Sequence, residues 1–232
     1  MPEEINRLVT DSISNYFFTT TPEASLNLLK QGIASEQIYF VGNTMIDTLL
    51  KHQHRFQQPE VFNQHHLQAG AYLVLTIHRP SNVDDPQQLQ QLLSEIISHS
   101  RQLPLVFPVH PRTRKTLEQI QLPESKLILT EPMGYLEFNY LVQHAKAVIT
   151  DSGGITEETT VLRIPCMTLR NTTERPETCT LGTNELLGTD PKQIAPAMNK
   201  LFSGQWKQGT IPEKWDGKAA ERIVEHLLTL NL

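Results

Sequence analysis

Short apolar, β-rich runs alternate with longer helical patterns along nearly the whole chain. That alternation admits few folds other than stacked βαβ units around a parallel sheet. The runs fall at residues 16–19, 38–42, 72–77, 105–109, 127–130, 147–150, 167–169 and 185–187. Most are continuously apolar, as strands covered on both faces must be, and the class is α/β. Thr21 as N-cap, Pro22 in the first turn and Gly32 past the end frame one helix. A second helical pattern starts at Thr44 and runs into residues 57–68, a Gln-, His-, Pro- and Asn-rich stretch that reads as a surface connector. Residues 206–215 read as a loop before a last helical pattern at 219–230. The expected organisation is a leading piece at 1–43, a compact α/β domain at 44–214 and a terminal helix at 215–232.

With 232 residues, 38% of them apolar, the chain can bury a full core. A formal net charge of −5 offers no basic field to neutralise phosphates, so sequence-independent nucleic-acid binding is disfavoured. Cys166 and Cys179 are the only cysteines, too few for a disulfide scaffold, and a reducing cytoplasm is the expected location. No charged-then-apolar signal opens the chain, and no apolar run approaches the roughly 20 residues that span a bilayer. His52, His54, His65 and His66 cluster, but their spacing matches no closed zinc site, so no metal is expected.

In doubly wound sheets, ligands bind beyond the C-terminal ends of the strands. The segment 147–158 reads as an apolar strand, a Ser152-Gly-Gly154 turn and a helix whose free amides make an anion site. The alternative is a tight turn capped by Asp151 or Ser152. Glu157 and Glu158 read as first-turn partners of the helix dipole, or as acceptors for a sugar diol. His78 and Arg79 follow the strand at 72–77, and His110 and Arg112 follow the strand at 105–109. Such pairs are often solvated loops, but here several strand ends converge on one anionic ligand, and arginine grips phosphate with a two-pronged fork. Arg170 and Arg175 add cations after the strand at 167–169, with Thr173 as a candidate helix cap before Pro176. Phe138 reads as core, or as an aromatic that stacks on a base. No GxGxxG, P-loop or GxSxG pattern is present. A phosphorylated small molecule with a diol fits these residues.

Taken together, several blocks resemble one family. They are Pro2-Glu-Glu-Ile-Asn-Arg7, Val41-Gly-Asn-Thr-Met-Ile-Asp47, Thr76-Ile-His-Arg79, Val109-His-Pro111, Gly134-Tyr-Leu-Glu-Phe138, Thr150-Asp-Ser-Gly-Gly-Ile-Thr-Glu-Glu158 and Thr173-Glu-Arg-Pro-Glu177. In order and spacing they resemble the non-hydrolysing UDP-N-acetylglucosamine 2-epimerases. The resemblance implies a glycosyltransferase-B type fold, two Rossmann-like domains with a UDP-sugar in the cleft. Residues 1–43 would then be a remnant of the first domain, 44–214 the UDP-binding domain, and 215–232 a helix returning to the first.

By the same resemblance, His78 and Glu3 are catalytic, His78 and Arg79 contacting the diphosphate side and Glu3 approaching the hexosamine ring. Ser152, Gly153 and Gly154 hold phosphate, Phe138 lies near the uracil, Glu158 takes the ribose hydroxyls and Arg175 lies near the phosphates. His110 matches a position that in some members helps bind a second, allosteric UDP-N-acetylglucosamine. The implied reaction eliminates UDP across C1–C2 and re-adds it with the proton on the opposite face, interconverting UDP-N-acetylglucosamine and UDP-N-acetylmannosamine without any cofactor. Full members carry a further segment before the Pro2 block, with an Asp and a Glu implicated in proton transfer. The expectation is therefore a chain inactive alone that needs that segment from a separate polypeptide, with Ile5, Leu8, Tyr16, Phe17 and Phe18 left without a partner. Homodimers are common in the family. The other readings are a non-catalytic UDP-sugar-binding module and a glycosyltransferase; no nucleic-acid or membrane partner is expected. Asn171, where many members have Asp, and Thr156, where many have Gln, depart from the pattern.

Overall fold

The computed structural model describes residues 2–123 and 126–230, the side chains of Pro2 and Glu3 excepted. The chain forms two compact units, residues 1–51 with 213–232, and residues 52–212.

In the smaller unit, β1 (Phe17–Thr19) and β2 (Ile38–Phe40) pair in parallel, with Phe17 beside Ile38. The helix Pro22–Lys30 joins them. The Thr21 hydroxyl accepts from the Ala24 amide at 3.2 Å, Pro22 opens the first turn, and Gly32 leaves at φ +88°. The helix Thr44–His52 belongs here as far as Lys51, so the boundary drawn at residue 44 falls after Lys51 instead. The reason is polar. Asp47 caps the last helix, Ala219–Thr229, by accepting from the Ala219 and Ala220 amides at 3.0 and 2.7 Å. Arg222 Nη1 in that helix donates to Val41 O at 3.0 Å. Of the apolar side chains expected to lack partners, Phe17 is buried. Tyr16 and Phe18 pack beside Tyr39, whose ring lies 4.5 Å from that of His226. Ile5 and Leu8, on the helix Pro2–Ile13, are exposed.

The larger unit is built on a six-stranded, all-parallel sheet. Its strands are β3 (Leu73–Thr76), β4 (Leu105–Pro108), β5 (Leu127–Thr130), β6 (Ala147–Thr150), β7 (Cys166–Thr168) and β8 (Asn184–Leu186). Every strand run expected from the sequence is present, shifted by a residue or two at some ends. Alternate residues serve opposite faces. Leu73, Leu75, Ala147 and Ile149 enter one core cluster, whereas Tyr72, Val74 and Val148 enter another. That two-sided burial is why these runs are apolar throughout.

The expected connector at 57–68 is partly structured. It contains the helix Glu60–Gln64, and Val61 and Leu67 are buried in the second cluster. A few apolar anchors among many polar neighbours suffice to pin it to the sheet.

Spatial order within the sheet is β5-β4-β3-β6-β7-β8. The chain therefore winds outward from β3 to β5, then returns to start again at β6 beside β3. Between β3 and β6 the winding reverses, and a crevice opens beyond their C-terminal ends.

Candidate functional site

The residues that follow β3 and β6 meet at this reversal. Thr76 and Thr150 end the two strands side by side, with their hydroxyl oxygens 2.7 Å apart. Beyond them Asp151 is fully buried, and its carboxylate collects donors from the loop after β3. It accepts from the amides of His78 at 3.0 Å and Arg79 at 2.8 Å, and from Asn82 Nδ2 at 3.0 Å. The His78 ring places Nδ1 2.9 Å from the other carboxylate oxygen. Burial alone would push Asp151 up, but the bonds from His78, the Arg79 amide and Asn82 outweigh it and hold the carboxyl below its ordinary value. The same bond raises His78 above the ordinary imidazole value against a smaller opposing effect of burial. With Nδ1 committed to Asp151 and the side chain 45% exposed, Nε2 is the ring atom left for a ligand.

Asp151 therefore does not cap the helix that follows, as one sequence reading had it. Ser152 occupies the N-cap position of Gly153–Leu162, yet its hydroxyl makes no capping bond. No side-chain cap closes the first turn of that helix, and the positive end of its dipole lies just beyond the C-terminal end of β6. Glu157 and Glu158 are the fifth and sixth residues of this helix and are buried, so they are not the first-turn dipole partners the sequence suggested.

The cations around the rim differ in their freedom. Arg170 is buried and grips Glu174 with both guanidinium nitrogens, Nη1 to Oε2 at 2.8 Å. That grip holds Glu174 below the ordinary carboxylate range. The pair lies against the helix start, since a Cβ on Gly153 would stand 3.6 Å from Arg170 Nη1. Arg175 Nε is bonded to Glu157 Oε1 at 2.7 Å, with the guanidinium partly exposed. Thr173 accepts from the Arg175 amide at 3.0 Å but is not the N-cap of Pro176–Thr180; Arg175 holds that position. The Arg79 guanidinium makes no ion pair among the described residues, but its charge reaches Glu174 and helps to hold that carboxyl low.

His110 is exposed, 6.1 Å from His78 between ring centroids, and its Nδ1 accepts from the Arg112 amide at 3.2 Å. Arg112 itself is paired with Asp84. Phe138 is half-buried against the second core cluster. Ser152, Gly153 and Gly154 are half-buried at the helix start. Glu158 is 5% exposed and accepts from Tyr135 Oη at 2.9 Å. The side chain of Glu3 lies outside the described residues. Sequence reasoning missed Asn82, Tyr135 and Asn139, and took Asp151 only as a cap. An acidic residue immediately after a buried, largely apolar strand was the signal for Asp151. Among the described residues no group of three or more His, Cys, Asp or Glu side chains is gathered for a metal ion, and no helix is long and apolar enough to cross a membrane.

Comparison with known proteins agrees with this fold. The sequence profile of the family described as UDP-N-acetylglucosamine 2-epimerase matches residues 1–228. The enzyme of that name from Methanocaldococcus jannaschii is 38% identical over 98% of this chain, which spans 64% of that relative's length. A crystal structure of the M. jannaschii enzyme in complex with UDP-GlcNAc and UDP superposes with a TM-score of 0.84 at 37% identity, covering 98% of this chain and 65% of the other. The Neisseria meningitidis enzyme bound to UDP-GlcNAc gives a TM-score of 0.86 at 30% identity, covering 99% and 65%. By sequence and by fold, this chain belongs to the UDP-N-acetylglucosamine 2-epimerase family.

Proposed function

We propose that the larger unit binds the nucleoside diphosphate of UDP-N-acetylglucosamine, and that the chain serves its interconversion with UDP-N-acetylmannosamine. The observation that carries this reading is the Asp151 carboxylate. It ties the loop bearing His78 and Arg79 to the start of the helix Gly153–Leu162, so that an imidazole, an unpaired guanidinium and open backbone amides share one rim. Solved relatives with this fold are described as bound to UDP-GlcNAc and UDP.

The chemistry needs such a rim. Loss of the C2 proton and cleavage of the C1–O bond send the bonding electrons onto the departing diphosphate, leaving a glucal. Addition of UDP to that glucal, with a proton delivered to the other face of C2, gives the epimer. His78, Arg79 and the amides of Gly153 and Gly154 stabilise the charge that grows on the leaving group, the Ser152 amide being taken up by Thr150 Oγ1 at 3.0 Å. Phe138 flanks the base, Glu158 takes the ribose, and Arg175, oriented by Glu157, completes the phosphate side. The carboxylates at the rim are already engaged: Asp151 with His78, Glu174 with Arg170, Glu157 with Arg175. For proton transfer at the sugar, the family resemblance points to Glu3 rather than to these paired carboxylates. The sugar regains its oxidation state, so no redox cofactor is called for.

Titration calorimetry with UDP tests the reading. Binding is expected, and Arg79→Ala weakens it by about 1.5–3 kcal/mol, the range for a hydrogen bond to a charged group. His52→Ala and His65→Ala, which are far from the rim in sequence and role, leave it unchanged. Equal losses in both sets, or no binding to the unaltered chain, would show that the site lies elsewhere.

A further inference from the structure

If the larger unit binds a nucleoside diphosphate as proposed, one group near the rim has an unusual setting. Glu158 is buried, yet the structure records no ion pair for it among the described residues. Its hydrogen-bond donor is neutral, Tyr135 Oη at 2.9 Å, and the side-chain amide of Asn139 also favours the charged form. Tyr135 is the first residue of the helix Tyr135–His144 and is 41% exposed. Asn139, one turn further on, is fully buried and also bonds Tyr135 O at 3.2 Å, so the tyrosine is held at both its backbone and its hydroxyl end. The neighbouring carboxylate, Glu157, is taken up with Arg175.

A carboxylate accepts about four hydrogen bonds, and Tyr135 supplies one of them. The remaining capacity matches two adjacent hydroxyls, and burying the group without a cation is costly unless those donors arrive.

We propose that Tyr135 is a positioning residue for nucleotide specificity: its hydroxyl fixes the Glu158 carboxylate to receive both ribose hydroxyls, so that preference for ribo- over 2′-deoxyribonucleotides is set through Tyr135. Burial pushes Glu158 above the ordinary carboxylate value, the nearby Glu157 charge adds to this, and the Tyr135 bond and the Asn139 amide oppose it. Burial likewise pushes the Tyr135 phenol up, so it remains a donor. Acidification through the Glu158 value removes the acceptor and with it the ribose contribution. Deleting the Tyr135 donor moves that loss to higher pH.

The test is calorimetry on the full chain with UDP, 2′-deoxy-UDP and inorganic pyrophosphate across a pH series. The unaltered chain should favour UDP over 2′-deoxy-UDP by about tenfold or more, the worth of one hydrogen bond to a charged group. Tyr135→Phe should cut that preference several-fold, leave pyrophosphate binding unchanged, and raise the pH below which UDP affinity falls. Glu158→Gln should flatten that dependence. Pyrophosphate carries the pH response of His78, so the ratio of UDP to pyrophosphate affinity isolates the ribose side. A Tyr135→Phe chain that keeps both the preference and the pH midpoint overturns the inference while leaving the nucleotide reading intact. Failure of the unaltered chain to bind UDP and pyrophosphate alike overturns the reading and the inference together.

Discussion

Asp151→Ala is expected to destabilise the larger unit by about 3 kcal/mol, several donors losing a common buried acceptor at roughly 1–3 kcal/mol for each one left unsatisfied, and to abolish UDP binding. Alanine leaves the buried Asn82 amide, the His78 and Arg79 amides and the His78 ring without their common acceptor. Urea unfolding checks the first effect and calorimetry the second. A loss of less than about 1 kcal/mol, the scale of a surface ion pair, would mean that the carboxylate is not the tie described here. The pH dependence gives a second handle. Asp151 sits below its ordinary value, so its contribution is present above about pH 3.9 and is lost only as pH falls through the lowered value. His78 sits above its ordinary value, so its contribution is complete below about pH 6.5 and fades as pH rises through the raised value. The gap between the unaltered and Asp151→Ala chains should accordingly be widest between about pH 4 and 6.5.

Gly42→Ala should cost the smaller unit about 3 kcal/mol or more, because two penalties coincide. Gly42 sits at φ +100°, and a Cβ there would stand 2.1 Å from the Lys214 carbonyl oxygen, a backbone atom that cannot swing aside. Gly32 provides the control. It has φ +88° with nothing within 4 Å of the added carbon, so Gly32→Ala should cost only about 1 kcal/mol, the penalty of the left-handed backbone alone. Equal unfolding midpoints for the two variants would refute the clash.

The strands of the larger unit are legible in the sequence because burial on both faces writes itself as unbroken apolar runs, as at Leu73–Thr76 and Ala147–Thr150. The helix framed by Thr21 and Gly32 is legible for a different reason, since caps are local chemistry. What escapes is whatever depends on how the elements and loops pack, at short or long range. Asp151 looks like a cap because its partners, His78, Arg79 and Asn82, lie some seventy positions away in the chain. Arg170 and Arg175 look like free cations until folding brings Glu174 and Glu157 to them. Val61 and Leu67 are hidden among Gln and His, too sparse to register as a periodic pattern. The Tyr135 bond to Glu158 spans two helices, and no local pattern announces it.

The bond from the His78 amide to Asp151 closes a loop of 73 residues. The entropy cost of such closure grows slowly with length, but it must be met before the pairing of β3 with β6 gives anything back. On the ribosome, His78 and Arg79 emerge long before Asp151 has been added to the chain. The anion grip therefore cannot exist in a half-made polypeptide: it arises in the same step that joins the middle of the sheet, and a nascent chain stopped short of that residue has no means of capturing nucleotide.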